Sequence, residues 1–150
     1  MRQQGIDLDS SLGYLVKEAS SALRAAMEEV LRPLGMTITH YSCLELLAQR
    51  PGMSNSELAR GAFVTRQSMN VLLQALERDG SVERPPDAAV GKVLPARLTP
   101  AGRRKLDLAS AAVRSVEERM LAGMTAAERE GAFRALTSMV RSLRGAEGGQ

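Results

Sequence analysis

Apolar residues recur along most of the chain at steps of three and four, the period that gathers them on one side of an α-helix. Leu12, Leu15, Val16, Ala19, Leu23, Ala26, Met27, Val30 and Leu31 form the first stripe, capped by Asp9 or Ser10 and closed by Pro33 and Gly35. Thr37 or Thr39 caps a second helix carrying Tyr41, Leu44, Leu46 and Leu47, which stops at Arg50-Pro51-Gly52. Ser54-x-x-Glu57 is a capping box, whose hydroxyl and carboxylate satisfy orphan N–H groups at a helix start. The short helix it opens ends at Gly61. Thr65 caps a fourth helix, Arg66 to Asp79, stopped by Gly80, with Met69, Leu72, Leu73 and Leu76 turned to a core. Then the pattern changes. Val82-Glu83-Arg84 reads as a short strand, two prolines and a glycine between Pro85 and Gly91 break it, and Val93 to Leu98 reads as the return strand. Thr99-Pro100 opens a fifth helix, with Thr as N-cap and Pro at the first helical position. Its stripe is Leu106, Ala109, Val113, Val116 and Met120, a near-heptad seam ended by Gly123. Thr125-x-x-Glu128 is a second capping box, and the last helix carries Ala132, Phe133, Leu136, Val140 and Leu143. Met1 to Asp9 and Gly145 to Gln150 read as flexible tails.

Two helices in quick succession followed by a hairpin make a winged helix-turn-helix. The expected fold is mainly α with a small β-wing, and the 150 residues make one domain. The winged helix-turn-helix spans 37–98. The flanking helices, 10–34 and 99–144, carry apolar stripes that one small domain has too little surface to cover. A symmetric homodimer resolves this, and it sets two reading helices about one duplex turn apart on a pseudo-palindromic site. A monomeric helical bundle is the alternative.

The outer face of the fourth helix presents Gln67, Asn70, Val71, Gln74 and Arg78, with no acid before Glu77. Amides and arginine are the side chains that read base edges, and valine can touch a thymine methyl. A plain solvated face is the competing reading. Net charge is +3, so basic residues must be concentrated locally to matter. They are: Lys92, Arg97, Arg103, Arg104 and Lys105 all precede the next acid, Asp107. Duplex phosphates are a natural partner for such a run. Aromatic residues make up 3% of the chain, which argues against a stacking platform for single strands.

Here the chain resembles the MarR (multiple antibiotic resistance regulator) family. The resemblance lies in Glu57-Leu58-Ala59, in Leu76-Glu77-Arg78-Asp79-Gly80-Ser81-Val82-Glu83-Arg84 and in Leu98-Thr99-Pro100-Ala101-Gly102. One departure is in the wing, where the family carries Asp-x-Arg and this chain reads Ala89-Val90-Gly91-Lys92. The resemblance implies a homodimeric transcriptional regulator, a repressor, that binds double-stranded DNA. The expected DNA contacts are Thr65, Arg66, Gln67, Ser68, Asn70 and Gln74 of the reading helix, with Arg84, Lys92 and Arg97 of the wing. It also implies a cleft beside the dimerisation helices that takes a small aromatic or phenolic effector. Tyr14, Lys17, His40 and Tyr41 are the expected ligand contacts. A purely structural histidine at His40 stands beside that reading.

Cys43 is the single cysteine, so no disulfide framework forms. Peroxide-sensing relatives carry their cysteine in the first helix. This one lies in the second, so a redox-sensing role stands beside a buried, hydrophobe-like one. One histidine and one cysteine cannot build a zinc site. The chain shows no phosphate loop, no nucleophile elbow and no His-Glu-x-x-His, so no catalytic role and no cofactor are expected. With no membrane-length apolar run and no signal core, it reads as cytoplasmic. A winged helix that docks protein instead of DNA is the alternative from another functional class.

Overall fold

The computed structural model describes residues 5–84 and 95–145. The stretch 85–94, which holds Lys92 and most of the expected wing, lies outside the described residues, as do 1–4 and 146–150 of the expected tails. In order, the elements are α1 (Leu12–Leu31), a 3-10 turn (Arg32–Leu34), α2 (Ile38–Gln49), α3 (Asn55–Gly61), α4 (Arg66–Arg78), β1 (Val82–Glu83), β2 (Arg97–Leu98), α5 (Pro100–Leu121) and α6 (Ala126–Arg144). They group into two compact units, one running through Val116 and the other beginning at Glu117.

The helix boundaries follow local chemistry. Ser54, Thr65 and Thr125 cap as expected, each hydroxyl accepting the N–H three residues on, and Glu57 and Glu128 close reciprocal boxes. Thr37, not Thr39, caps α2. At α1 the cap is Ser11, not Asp9 or Ser10. Asp7 binds both of those candidates, accepting from the Asp9 amide and the Ser10 hydroxyl, and so shifts the helix start. Thr99 caps α5 by accepting from Gly102 N at 3.0 Å.

β1 and β2 are antiparallel, with Val82 opposite Leu98 and Glu83 opposite Arg97. The return strand is shorter than expected within the described residues. Pro95 has no N–H to give a ladder and Ala96 turns into the core, so pairing begins at Arg97. The core of the first unit gathers Cys43, Leu44 and Leu47 of α2, Leu58 of α3, Met69, Leu73 and Leu76 of α4, Val82, Ala96 and Leu106. Each fully buried leucine among them contributes about 2 kcal/mol of transfer free energy. This core clamps α4 from behind and leaves its other side to solvent.

The flanking helices behave differently. Leu12, Leu15 and Val16 on the first turns of α1 are exposed, whereas Leu31 at its end is fully buried. In the second unit, Phe133 and Leu143 of α6 are 75% and 82% exposed, with Leu136 and Val140 beside them. Phe133, Leu136 and Val140 line one open apolar groove along that helix.

Candidate functional site

The expected reading face is on the outside. Arg66, Gln67, Ser68, Asn70, Val71, Gln74 and Arg78 are all exposed, while Met69, Leu73 and Leu76 of the same helix are buried. Two of the expected contacts have local duties. Thr65 Oγ1 accepts from Ser68 N at 3.0 Å and donates to Ser68 Oγ at 2.9 Å, so both hydroxyls serve the cap. What the N-terminus of α4 offers an anion is its first backbone amides, which have no acceptor within the helix. Asn70 is not independent either: its Oδ1 accepts from Asn55 Nδ2, at the head of α3, at 2.5 Å. The turn between α3 and α4 places Phe63 in the left-handed region at φ 60, with its ring exposed.

Arg66 and Arg84 line one open groove with Ser54, Asn55 and Ser56. Arg84 Nε lies 3.4 Å from Glu77 Oε1, and Arg97 Nε lies 2.9 Å from Glu83 Oε1 across the hairpin. Both wing arginines therefore already have acidic partners. The Arg97–Glu83 pair is solvent-exposed and worth about 1 kcal/mol or less, so a phosphate can take Arg97 over at small cost. Arg84 is half-buried, and its Nε is shut off from solvent without a hydrogen bond, so its guanidinium is held more closely to the body of the unit.

Behind α4 lies a pocket of about 130 Å³. Its walls are Leu34, Met36, Leu44, Leu76 and Leu108, and its polar groups are His40, Asp79, Ser81 and Lys105. Lys105 Nζ is 3.1 Å from Ser81 Oγ and 3.5 Å from Asp79 Oδ2. Burial works to raise the Asp79 carboxyl, but hydrogen bonds from Ser81 and the charge of Lys105 outweigh it and hold the group below its ordinary range. Burial lowers the His40 pKa, and Lys105 adds to that against the opposing pull of Asp79. The imidazole is the neutral, accepting form in its capping role, where Nδ1 takes the Thr37 N–H at 3.4 Å. Lys105 is thus the pocket's standing positive charge.

Of the four expected ligand contacts, His40 alone lines this pocket. Tyr14 and Lys17 sit on the exposed turns of α1, and Tyr41 is half-buried on α2. Asp79, Ser81 and Lys105 were not expected there. Asp79 read only as the end of a helix and Lys105 as one of a basic run, and no short spacing joins them. Cys43 is fully buried, and burial pushes its thiol up to about 12. Peroxide chemistry needs an accessible thiolate, so this environment speaks against the redox reading. Among the described residues no group of three His, Cys, Asp or Glu could hold a metal ion, and no helix is long and apolar enough to cross a membrane.

A short helix, a turn, an exposed amide-rich helix and the base of a hairpin define a winged helix-turn-helix protein. A family model described as the MarR family matches residues 34–92. The HTH-type transcriptional repressor Rv2887 of Mycobacterium tuberculosis is 44% identical over 122 residues, which cover 81% of this chain and 88% of the relative. The chain belongs to the MarR family. A crystal structure of Rv2887 with salicylic acid is 42% identical and has a TM-score of 0.73, covering 87% of this chain and 97% of that one. A crystal structure of Rv2887 with DNA is 41% identical and has a TM-score of 0.72, covering 87% of this chain and 98% of that one.

Proposed function

We propose that the chain is a homodimeric, DNA-binding transcriptional repressor that works in the cytoplasm, with a binding task and no reaction to catalyse. The observation that carries this is the outward face of α4, amide-rich and free of acids up to Glu77, bordered by the Arg66 and Arg84 groove. Gln67, Asn70 and Gln74 read base edges in the major groove. Arg66 and the first amides of α4, set by the Thr65 and Ser68 hydroxyls, hold phosphates. Arg84, Arg97 and Lys92 serve the adjacent backbone or minor groove, Lys92 on grounds of sequence alone. The helices of 10–34 and 99–144 form the dimer, which covers the exposed stripes of α1 and α6 and pairs two reading helices over a pseudo-palindrome. The relative Rv2887, crystallised with DNA, supports this reading.

The pocket behind α4 takes the effector. A dry apolar cavity of about 150 Å³ holds one benzene ring. A room of about 130 Å³ with leucine walls and one lysine suits a single-ring aromatic acid, with its carboxylate at Lys105. Such an acid competes with Asp79 for Lys105 and so loosens the end of α4. Salicylic acid bound to Rv2887 supports this choice of ligand class.

Titration of the protein against the intergenic DNA upstream of its own gene, beside a random duplex and over a range of salt, tests the reading. A footprinted pseudo-palindrome bound by a dimer, and weakened by salicylate, is the expected result. Equal, weak binding to both duplexes together with a salt-insensitive protein complex would replace it with a protein-docking winged helix.

A further inference from the structure

Asn55 opens α3, and its side chain is tied to the exposed face of α4. Its Nδ2 donates to Asn70 Oδ1 at 2.5 Å, across fifteen residues of chain. Asn55 also lines the groove shared by Arg66 and Arg84, so it sits on the same side of the molecule as the expected phosphate contacts. The chemistry of the bond has a direct consequence. A free asparagine pairs with adenine by accepting from the base N6 through Oδ1 and donating to N7 through Nδ2. Here Oδ1 is turned to Asn55. The Nδ2 group keeps both of its donor hydrogens for a base, whereas Oδ1 keeps one of its two lone pairs.

We propose that Asn55 is a specificity-determining positioning residue: by engaging Asn70 Oδ1 it presents Asn70 to DNA as a donor, for a base edge that carries acceptors. Guanine, with N7 and O6 together on its major-groove edge, is the base that satisfies two donors at once. Adenine would have to reach the one remaining lone pair of an oxygen already turned to Asn55. The inference rests on the DNA-reading function proposed above.

Selection from a randomised duplex library, followed by sequencing, tests it with the full-length protein and needs no known operator. Wild type selects a motif with guanine at one position of each half-site, and Asn70→Ala loses preference at that position. Asn55→Ala frees Oδ1, and preference there moves from guanine toward adenine by about tenfold, with the other positions unchanged. Asn55→Asp provides an independent arm. A carboxylate can only accept, so it takes an N–H from Asn70 and turns Oδ1 outward, which favours adenine or cytosine at the same position. Thermal melting of each variant reports folding separately from preference. A motif that keeps its guanine in both Asn55 variants, or that loses information evenly at every position, overturns the proposal while leaving the regulator reading intact. Wild type selecting no motif at all overturns both.

Discussion

The N-terminal end of α4 is held mainly by its own residues. Thr65 and Ser68 share their hydroxyls in the cap, and Asn55 reaches across from α3. The C-terminal end is built into the body of the unit. Gly80 adopts φ +80, which lets its amide reach Glu77 O while the Ser81 amide closes on Leu76 O. Asp79 Oδ1 also accepts from Ser81 N at 2.9 Å, and Lys105 joins both residues from α5. Thr99 Oγ1 donates to Gly80 O and lies 3.1 Å from Ser81 O, while its own backbone amide binds Ser81 O at 3.0 Å. Gly102 approaches so closely that a Cβ there would meet Ser81 O at 2.0 Å. The contrast teaches how one helix can serve two tasks. The open end leaves Arg66, Gln67 and Gln74 exposed, the side chains that the proposed function assigns to a duplex. The tied end gives the pocket a stiff hold on the helix, because Asp79 belongs both to the pocket wall and to the helix cap.

If the tied end is as tight as its geometry, Gly102→Ala has the largest effect. The new methyl must push the backbone of Ser81 aside, which costs about 3 kcal/mol. The melting temperature should fall by roughly 10 °C, and an unchanged one would mean that α5 can step back freely. Thr99→Val keeps the shape but leaves the Gly80 carbonyl and the Gly102 amide without their hydroxyl. A loss of about 1–2 kcal/mol in denaturant unfolding is expected. At the open end, Arg66→Ala should leave folding unchanged, weaken binding to every duplex and lower the log–log salt slope by about one. A sequence-selective loss from this variant would move Arg66 from phosphate to base contact.

The smallest effect is that of pH at His40. Its folded pKa lies below the ordinary value of 6.5, so the unfolded chain binds the proton more readily. The stability His40 contributes is complete above that value and is lost as pH falls through the folded pKa. His40→Gln should flatten that part of the stability–pH curve, and an unaltered slope would assign it to another group.

The helix-turn-helix was legible because its signals are local. A hydroxyl three residues before its amide, or a glycine directly after the last turn, fixes a boundary without reference to the rest of the chain. Ser54, Thr65 and Gly80 all act where the pattern placed them. The start of α1 was less legible because Asp9, Ser10 and Ser11 are equivalent in composition, and the choice among them is made by Asp7 upstream. Of the pocket's polar groups, His40 alone was named in advance as a ligand contact, through the resemblance. Leu34, His40, Asp79 and Lys105 come from separate elements and meet only when α5 packs behind the turn at Ser81. The pairing of Asn55 with Asn70 was likewise hidden: Asn70 stood out on the outer face of its helix, but nothing in the sequence joined it to Asn55.

Cys43 has a use that needs no chemistry of its own. It is the chain's single sulfhydryl, sealed where α2 meets the core of the first unit. A reagent can reach it only in the moments when that core parts, so the rate of labelling in native buffer counts those moments. Repeating the count with a duplex, and again with a small acid, would report which of the two keeps the interior shut for longer. The protein carries its own clock for breathing, already set at the place where the reading helix is anchored.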